Sequence, residues 1–138
     1  MRWLSLIGAL AVGAALALSG CRSVTSPAAM PAAATINERA LVAGTIEHYR
    51  FIEQHRELAE QVACYCGCAK TLGHRFLRDC FVRDDGRLDA HAQGCGVCLA
   101  EANEVARLAG EGASAAIIAA GVDAMFSESG PSTRENLR

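Results

Sequence analysis

The sequence predicts a mainly α protein: a small helical domain with a cysteine-rich connection through its middle. Three observations predict it. Apolar residues recur at helical spacing in four stretches, 35–61, 71–81, 95–109 and 114–126. Six of the seven cysteines fall between positions 64 and 98. The one strong turn signal, Asp85-Gly86, has flanks long enough only for a small hairpin or loop.

The elements follow in chain order. Residues 1–20, "MRWLSLIGALAVGAALALSG", carry a positive residue, an apolar run and then small residues, the pattern of a secretory signal peptide. Its ending, Leu18-Ser19-Gly20-Cys21, resembles the bacterial lipobox, whose cleavage leaves the cysteine first in the mature chain and ready for lipidation. An uncleaved anchor helix is the plainer alternative, but the apolar run is short for a membrane span. Arg22 rather than aspartate follows Cys21, so the common inner-membrane retention signal is missing. The expected location is the bacterial cell envelope, lipid-anchored through Cys21, at the outer membrane facing the periplasm in a Gram-negative host. Residues 21–34 read as the lipidated N-terminus and a flexible tether: Pro27 and Pro31 interrupt any helix and the small side chains have little to bury.

Residues 35–126 form the expected cysteine-rich domain. A body of this size has a modest core, so cross-links or a metal weigh in its stability. The chain has 13 Lys and Arg against 15 Asp and Glu. No basic stripe marks a nucleic-acid surface, and nucleic acid is excluded as a partner.

Within 35–61, Leu41, Thr45, Ile46, Tyr49 and Ile52 make one helical face, with Thr35 or Asn37 as the cap and room for a break before the turn of Leu58 to Ala63. A short helix is expected over 71–81 despite Gly73. The acidic loop "FVRDDGRLD" is no EF-hand, because Phe81 falls on the first ligand position and Ala92 on the last. Leu99, Ala102, Val105, Ala106 and Ala109 form the packed face of the helix over 95–109, which Gly110 and Gly112 stop. Ser114 caps a final helix in which Ile118, Val122 and Met125 point inward. Residues 127–138 show no apolar pattern and are expected to be a mobile tail.

The chemistry rests on Cys64, Cys66, Cys68, Cys80, Cys95 and Cys98, with His74 and His91 in the same interval. Alternate side chains of an extended backbone face one side, so "CYCGC" brings Cys64, Cys66 and Cys68 toward one ion if that segment is extended. Gly67 permits a tight approach. Cys95-Gly96-Val97-Cys98 sets two sulfurs at a helix start, where backbone N–H groups and the helix dipole favour thiolates. Such a pair grips zinc, a soft metal or another thiol.

Three readings stay open. Exported cysteines form disulfides, and six permit three bridges in fifteen ways; neighbours one residue apart do not readily bridge each other, so each sulfur of CxCxC would need a separate partner. Thiol redox chemistry is the second, but no strand pattern or βαβ framework precedes the CxxC. No acyl-transfer motif accompanies a Cys–His nucleophile either, so an enzyme is not expected. Metal coordination leads. Four thiolates, or three with a histidine, suit zinc; six in close company exceed one zinc ion and suit Cu(I) ions sharing bridging sulfurs, so Cu(I) is slightly preferred over Zn. No iron–sulfur spacing stands out. His74 and His91 are candidate ligands or their supporting groups, with Asp79 or Asp89 to hold a ring nitrogen. His48 and His55 read as solvated, and Met30 and Met125 as tether and apolar-face residues.

"CYCGC" at 64–68, Gly73-His74, Asp79-Cys80-Phe81 and "CGVC" at 95–98 together resemble the PCYCGC-motif family of bacterial lipoproteins, over roughly residues 48–126, with Ala63 where the motif has proline. The family is described by its motif and as a domain of unknown function. The resemblance implies a secreted lipoprotein and the domain bounds given above. The function expected is a lipid-anchored extracytoplasmic binding protein for a thiophilic transition metal, Cu(I) or Zn, in sequestration, delivery or sensing beside an envelope metal-handling protein. The alternatives are a disulfide-stabilised envelope interaction module and a thiol oxidoreductase.

Overall fold

The computed structural model describes residues 35–137. The segments expected to be a signal peptide and a tether, with Cys21 and Met30, lie outside the described residues. Among the described residues, no helix is long and apolar enough to cross a membrane.

The domain is mainly helical, with five α-helices and one two-stranded sheet among the described residues. The helix expected from position 35 begins later. Thr35–Ile36 form β1, paired antiparallel with β2 (Leu88–Asp89) in the register Thr35↔Asp89 and Ile36↔Leu88. Asn37 then caps a 3₁₀ turn, Glu38–Ala40, its Oδ1 accepting from the Ala40 N–H at 3.1 Å. The strand pairing and this separate cap commit the first residues elsewhere, so α1 spans only Ile46–Gln54. It buries Tyr49 and Ile52. Each such burial contributes about 1.5–3 kcal/mol. The chain breaks at His55, and α2 (Arg56–Ala59) restarts it. His48 is half-buried, its Nε2 3.0 Å from Asn103 Oδ1, and His55 is exposed.

The helix expected over 71–81 is also divided. Its first part belongs to α3 (Cys68–Leu72), which Gly73 ends in the left-handed conformation at φ 73°. Glycine adopts that conformation without a Cβ penalty. A separate 3₁₀ turn, Leu77–Cys80, follows and is wholly buried. Beyond it the Asp85-Gly86 turn folds the chain back, so that the Asp89 N–H donates to the Phe81 carbonyl at 2.8 Å.

α4 (Gly96–Gly110) and α5 (Ala115–Phe126) pack together, with Ser114 capping the second through the Ile117 N–H. Tyr49, Ile52, Leu77, Phe81, Val105 and Val122 are the centre of the core. The Tyr49 and Phe81 rings meet edge-on at 5.0 Å. Met125, expected to face inward, is 58% exposed. Phe126 stands four residues after Val122, takes the inward position in the last turn, and packs against the core.

Arg78 is 4% exposed and anchors an ionic network that runs from buried Asp79 out to the surface carboxylates of Asp84 and Glu60. Its guanidinium reaches Asp79 at 3.1 Å, Asp84 at 2.6 Å and Glu60 at 3.1 Å, and donates to the Val82 carbonyl at 3.2 Å. Arg75 joins it through Asp79 and Asp84. These pairs fix the 3₁₀ turn that carries Cys80.

The tail expected to be mobile instead docks. Thr133 is completely buried, and residues Thr133–Leu137 form a 3₁₀ turn. The Thr133 N–H donates to the Cys64 carbonyl at 2.9 Å, and Thr133 Oγ1 accepts from the Cys64 N–H at 2.9 Å. Asn136 Nδ2 donates to the carbonyls of Ala69 and His74 at 2.8 and 2.9 Å. Gly130 makes the approach possible, since a Cβ there would lie 2.6 Å from the Tyr65 carbonyl oxygen. Polar contacts to backbone, rather than an apolar stripe, hold this strap, which is why no hydrophobic pattern announced it.

Candidate metal centre

Three segments bring the thiols together. The first is 64–68, running from below the strap into α3. The second is the 3₁₀ turn ending at Cys80, and the third runs from His91 into the first turn of α4. All six cysteines among the described residues are free thiols, four of them buried and two, Cys66 and Cys95, partly exposed.

Their donor atoms form three overlapping groups of four, each with all atoms within 4.8 Å of one another. One is Cys64, Cys66, Cys80 and Cys98; another Cys66, Cys68, Cys80 and His91; the third Cys66, His91, Cys95 and Cys98. Cys66 belongs to all three. The sulfurs of Cys64 and Cys98 stand 3.6 Å apart, those of Cys68 and Cys80 3.5 Å, and Cys66 Sγ lies 3.4 Å from His91 Nε2. A tetrahedral ion with metal–sulfur bonds of about 2.3 Å has sulfurs about 3.8 Å apart. A disulfide needs about 2.05 Å. The cysteine and histidine groups can therefore coordinate a metal ion.

The expected convergence of Cys64, Cys66 and Cys68 on one ion is not what the fold gives. No group among the described residues holds all three. Gly67 takes φ 82°, which ends the extended run, and Cys68 begins α3 on a different course. Cys66 instead links groups on either side of it.

The two histidines take different places. His91 is a member of two groups. His74 belongs to none; it lies behind His91, the rings meeting edge-on at 5.5 Å, with Nε2 3.8 Å from Asp89 Oδ2. Asp89 is completely enclosed in this arrangement, its Oδ1 accepting from the His91 N–H at 2.8 Å. Its carbonyl accepts from the Tyr49 hydroxyl at 2.7 Å. Asp89 thus ties the histidine segment to α1. Asp79, the other expected partner, faces Arg75 and Arg78, which outcompete any imidazole for its carboxylate.

The electrostatics follow from this crowding. Neighbouring thiols, Cys64 first, donate to the Cys66 sulfur and hold its thiol far below the usual range. Burial pushes Cys80 well above it. Cys95 is lowered to about 6 by its hydrogen bond with Cys98. His91 is raised to about 10 by the Cys66 and Cys68 sulfurs. For His74, burial works against the charge, but Asp89 and Cys68 outweigh it and raise the ring to about 9. The crowded sulfurs thus favour the charged form of both imidazoles, and the imidazoles favour thiolate beside them.

Sequence reasoning missed Glu101. It is completely buried on α4, where Oε1 accepts from the Tyr65 N–H at 2.8 Å and so fixes the backbone between Cys64 and Cys66. Burial raises its carboxyl to about 8. The signal was available: Cys98, Glu101, Ala102 and Val105 follow the spacing of one helical face. Thr133 was missed as well, and no local pattern marks it.

No curated protein and no solved structure matches the chain. A family described as "Protein of unknown function with PCYCGC motif" matches residues 36–134, a span that takes in every segment of this centre and the strap as far as Thr133 and Arg134. With its thiols in the order that motif describes, and alanine in place of the leading proline, the chain belongs to the family of proteins of unknown function with the PCYCGC motif.

Proposed function

We propose that this protein is a lipid-anchored extracytoplasmic binding protein for a thiophilic transition metal, Cu(I) ahead of Zn, acting in sequestration, delivery or sensing. One observation carries the reading: six free thiols and one imidazole gather into three overlapping groups of four donors, the donor atoms of each group all within 4.8 Å of one another. Soft thiolates select Cu(I) and Zn over harder ions. The sharing of donors among the groups favours Cu(I), whose ions take bridging thiolates. The metal is cargo rather than a catalyst in this reading. Lipid on Cys21 would keep the cargo beside the envelope proteins that supply or receive it.

Each ligating thiol gives up its proton, so binding tightens as pH rises. The test is native mass spectrometry of the protein taken from its own envelope under anaerobic, chelator-free conditions, with free thiols trapped in a parallel denatured sample. Bound copper or zinc with reduced thiols supports the reading. A metal-free protein holding three disulfides overturns it in favour of the interaction module.

A further inference from the structure

The three donor groups are not equivalent. The first, Cys64, Cys66, Cys80 and Cys98, is all sulfur and buried except at Cys66. The third, Cys66, His91, Cys95 and Cys98, is partly exposed at every member but Cys98. These two share Cys66 and Cys98. Resting on the metal-binding reading above, we propose that the centre is binuclear. A retained inner ion sits on Cys64 and Cys80, an exchangeable outer ion on His91 and Cys95, and the thiolates of Cys66 and Cys98 bridge both.

Donor chemistry selects this pairing. A thiolate sulfur has lone pairs for two soft ions, whereas an imidazole nitrogen has one. The second and third groups overlap at Cys66 and His91, and would ask a single imidazole nitrogen to serve two ions. The first and second overlap at Cys66 and Cys80, which would leave Cys95 idle and split the CxxC, although two sulfurs at that spacing suit one ion. Pairing the first with the third keeps the CxxC on the outer ion. It frees Cys68, whose Sγ lies 3.5 Å from the Cys80 sulfur, to donate its S–H to that ligand. Hydrogen bonds of this kind orient metal ligands.

Exposure gives the two ions different fates. The inner ion has its terminal ligands, Cys64 and Cys80, both at 0% exposure. The outer ion lies where an incoming soft ligand, such as a thiol, reaches it first. Its transfer is a ligand exchange with no change of oxidation state.

The test uses ¹¹³Cd²⁺, a thiophilic probe visible by NMR, on the full reduced chain. Two ions per chain giving two resonances split by each other through the shared sulfurs are expected, with a small competing dithiol removing only one at first. Cys95→Ser should lose that quickly removed ion, Cys64→Ser the other, and Cys68→Ser neither. The wild-type coupling is read without any variant, so a variant that fails to fold does not spoil the test. One ion per chain, two uncoupled resonances, or loss of an ion in Cys68→Ser overturns the binuclear assignment while leaving metal binding intact. No cadmium bound at all overturns the metal-binding reading with it.

Discussion

Thr133→Val is the most direct probe of the strap. Valine matches threonine in shape but has no oxygen, so the Cys64 N–H, which donates to Thr133 Oγ1 at 2.9 Å, loses its partner inside a site with no water access. Leaving a buried donor unpaired costs about 1–3 kcal/mol. The second bond of the pair, from the Thr133 N–H to the Cys64 carbonyl, is backbone and survives. For a domain of this size each kcal/mol moves Tm by about 4–8 °C. Urea unfolding of the reduced, metal-free protein should show the loss, and amide exchange at Cys64 should speed up with it. Thr133→Ser keeps the hydroxyl and should recover most of the deficit. A valine variant within about 0.5 kcal/mol of wild type, with unchanged exchange at Cys64, would refute the strap as described.

Arg78→Leu should destabilise the metal-free protein by about 3 kcal/mol, because it strips buried Asp79 and the Val82 carbonyl of a donor, and Arg78→Lys should restore only part, as measured by denaturant midpoints. Arg78, then Arg75, hold the Asp84 carboxyl below its ordinary value of 3.8. That contribution is present above pH 3.8 and fades as pH falls through the lower folded value, so Asp84→Asn and wild type should converge in acid denaturation below about pH 4; a constant gap would exclude the pairing. Glu101 runs the other way: its carboxyl rises from 4.5 to about 8 on folding, so its stabilising contribution is full below 4.5 and lost as pH climbs through about 8. Glu101→Gln keeps the acceptor for the Tyr65 N–H, and its stability relative to wild type should grow between those limits; a pH-independent difference counts against the buried carboxyl.

Much of the fold was legible because it rests on local rules. Ser114, Ile118 and Val122 marked α5 by a cap and a periodic face, and the six thiols that converge in space are the ones clustered in the chain. What was not legible depends on partners far away. β1 exists because Leu88–Asp89, far along the chain, lies opposite, and two residues beside a polar turn carry no strand pattern of their own. The geometry of "CYCGC" turned on the sign of one φ angle at Gly67, a residue that permits either choice. Glu101 looked like an ordinary polar helix residue until Tyr65 supplied its partner. Thr133 sits in a segment whose affinity for the core comes from hydrogen bonds to backbone, to which hydrophobic periodicity is blind.

The strap also sets an order of assembly. A ribosome delivers Cys64 sixty-nine residues before Thr133, the residue that satisfies its N–H and its carbonyl. Through that interval the loop between Ala63 and Cys68 lacks two of the hydrogen bonds that hold its shape, one to a side-chain oxygen and one to backbone, and closing so long a loop is among the slower steps of folding. The thiols are thus made early and locked late. A nascent or truncated chain ending before Gly130 carries every cysteine of the centre, yet not the segment that clamps the first of them.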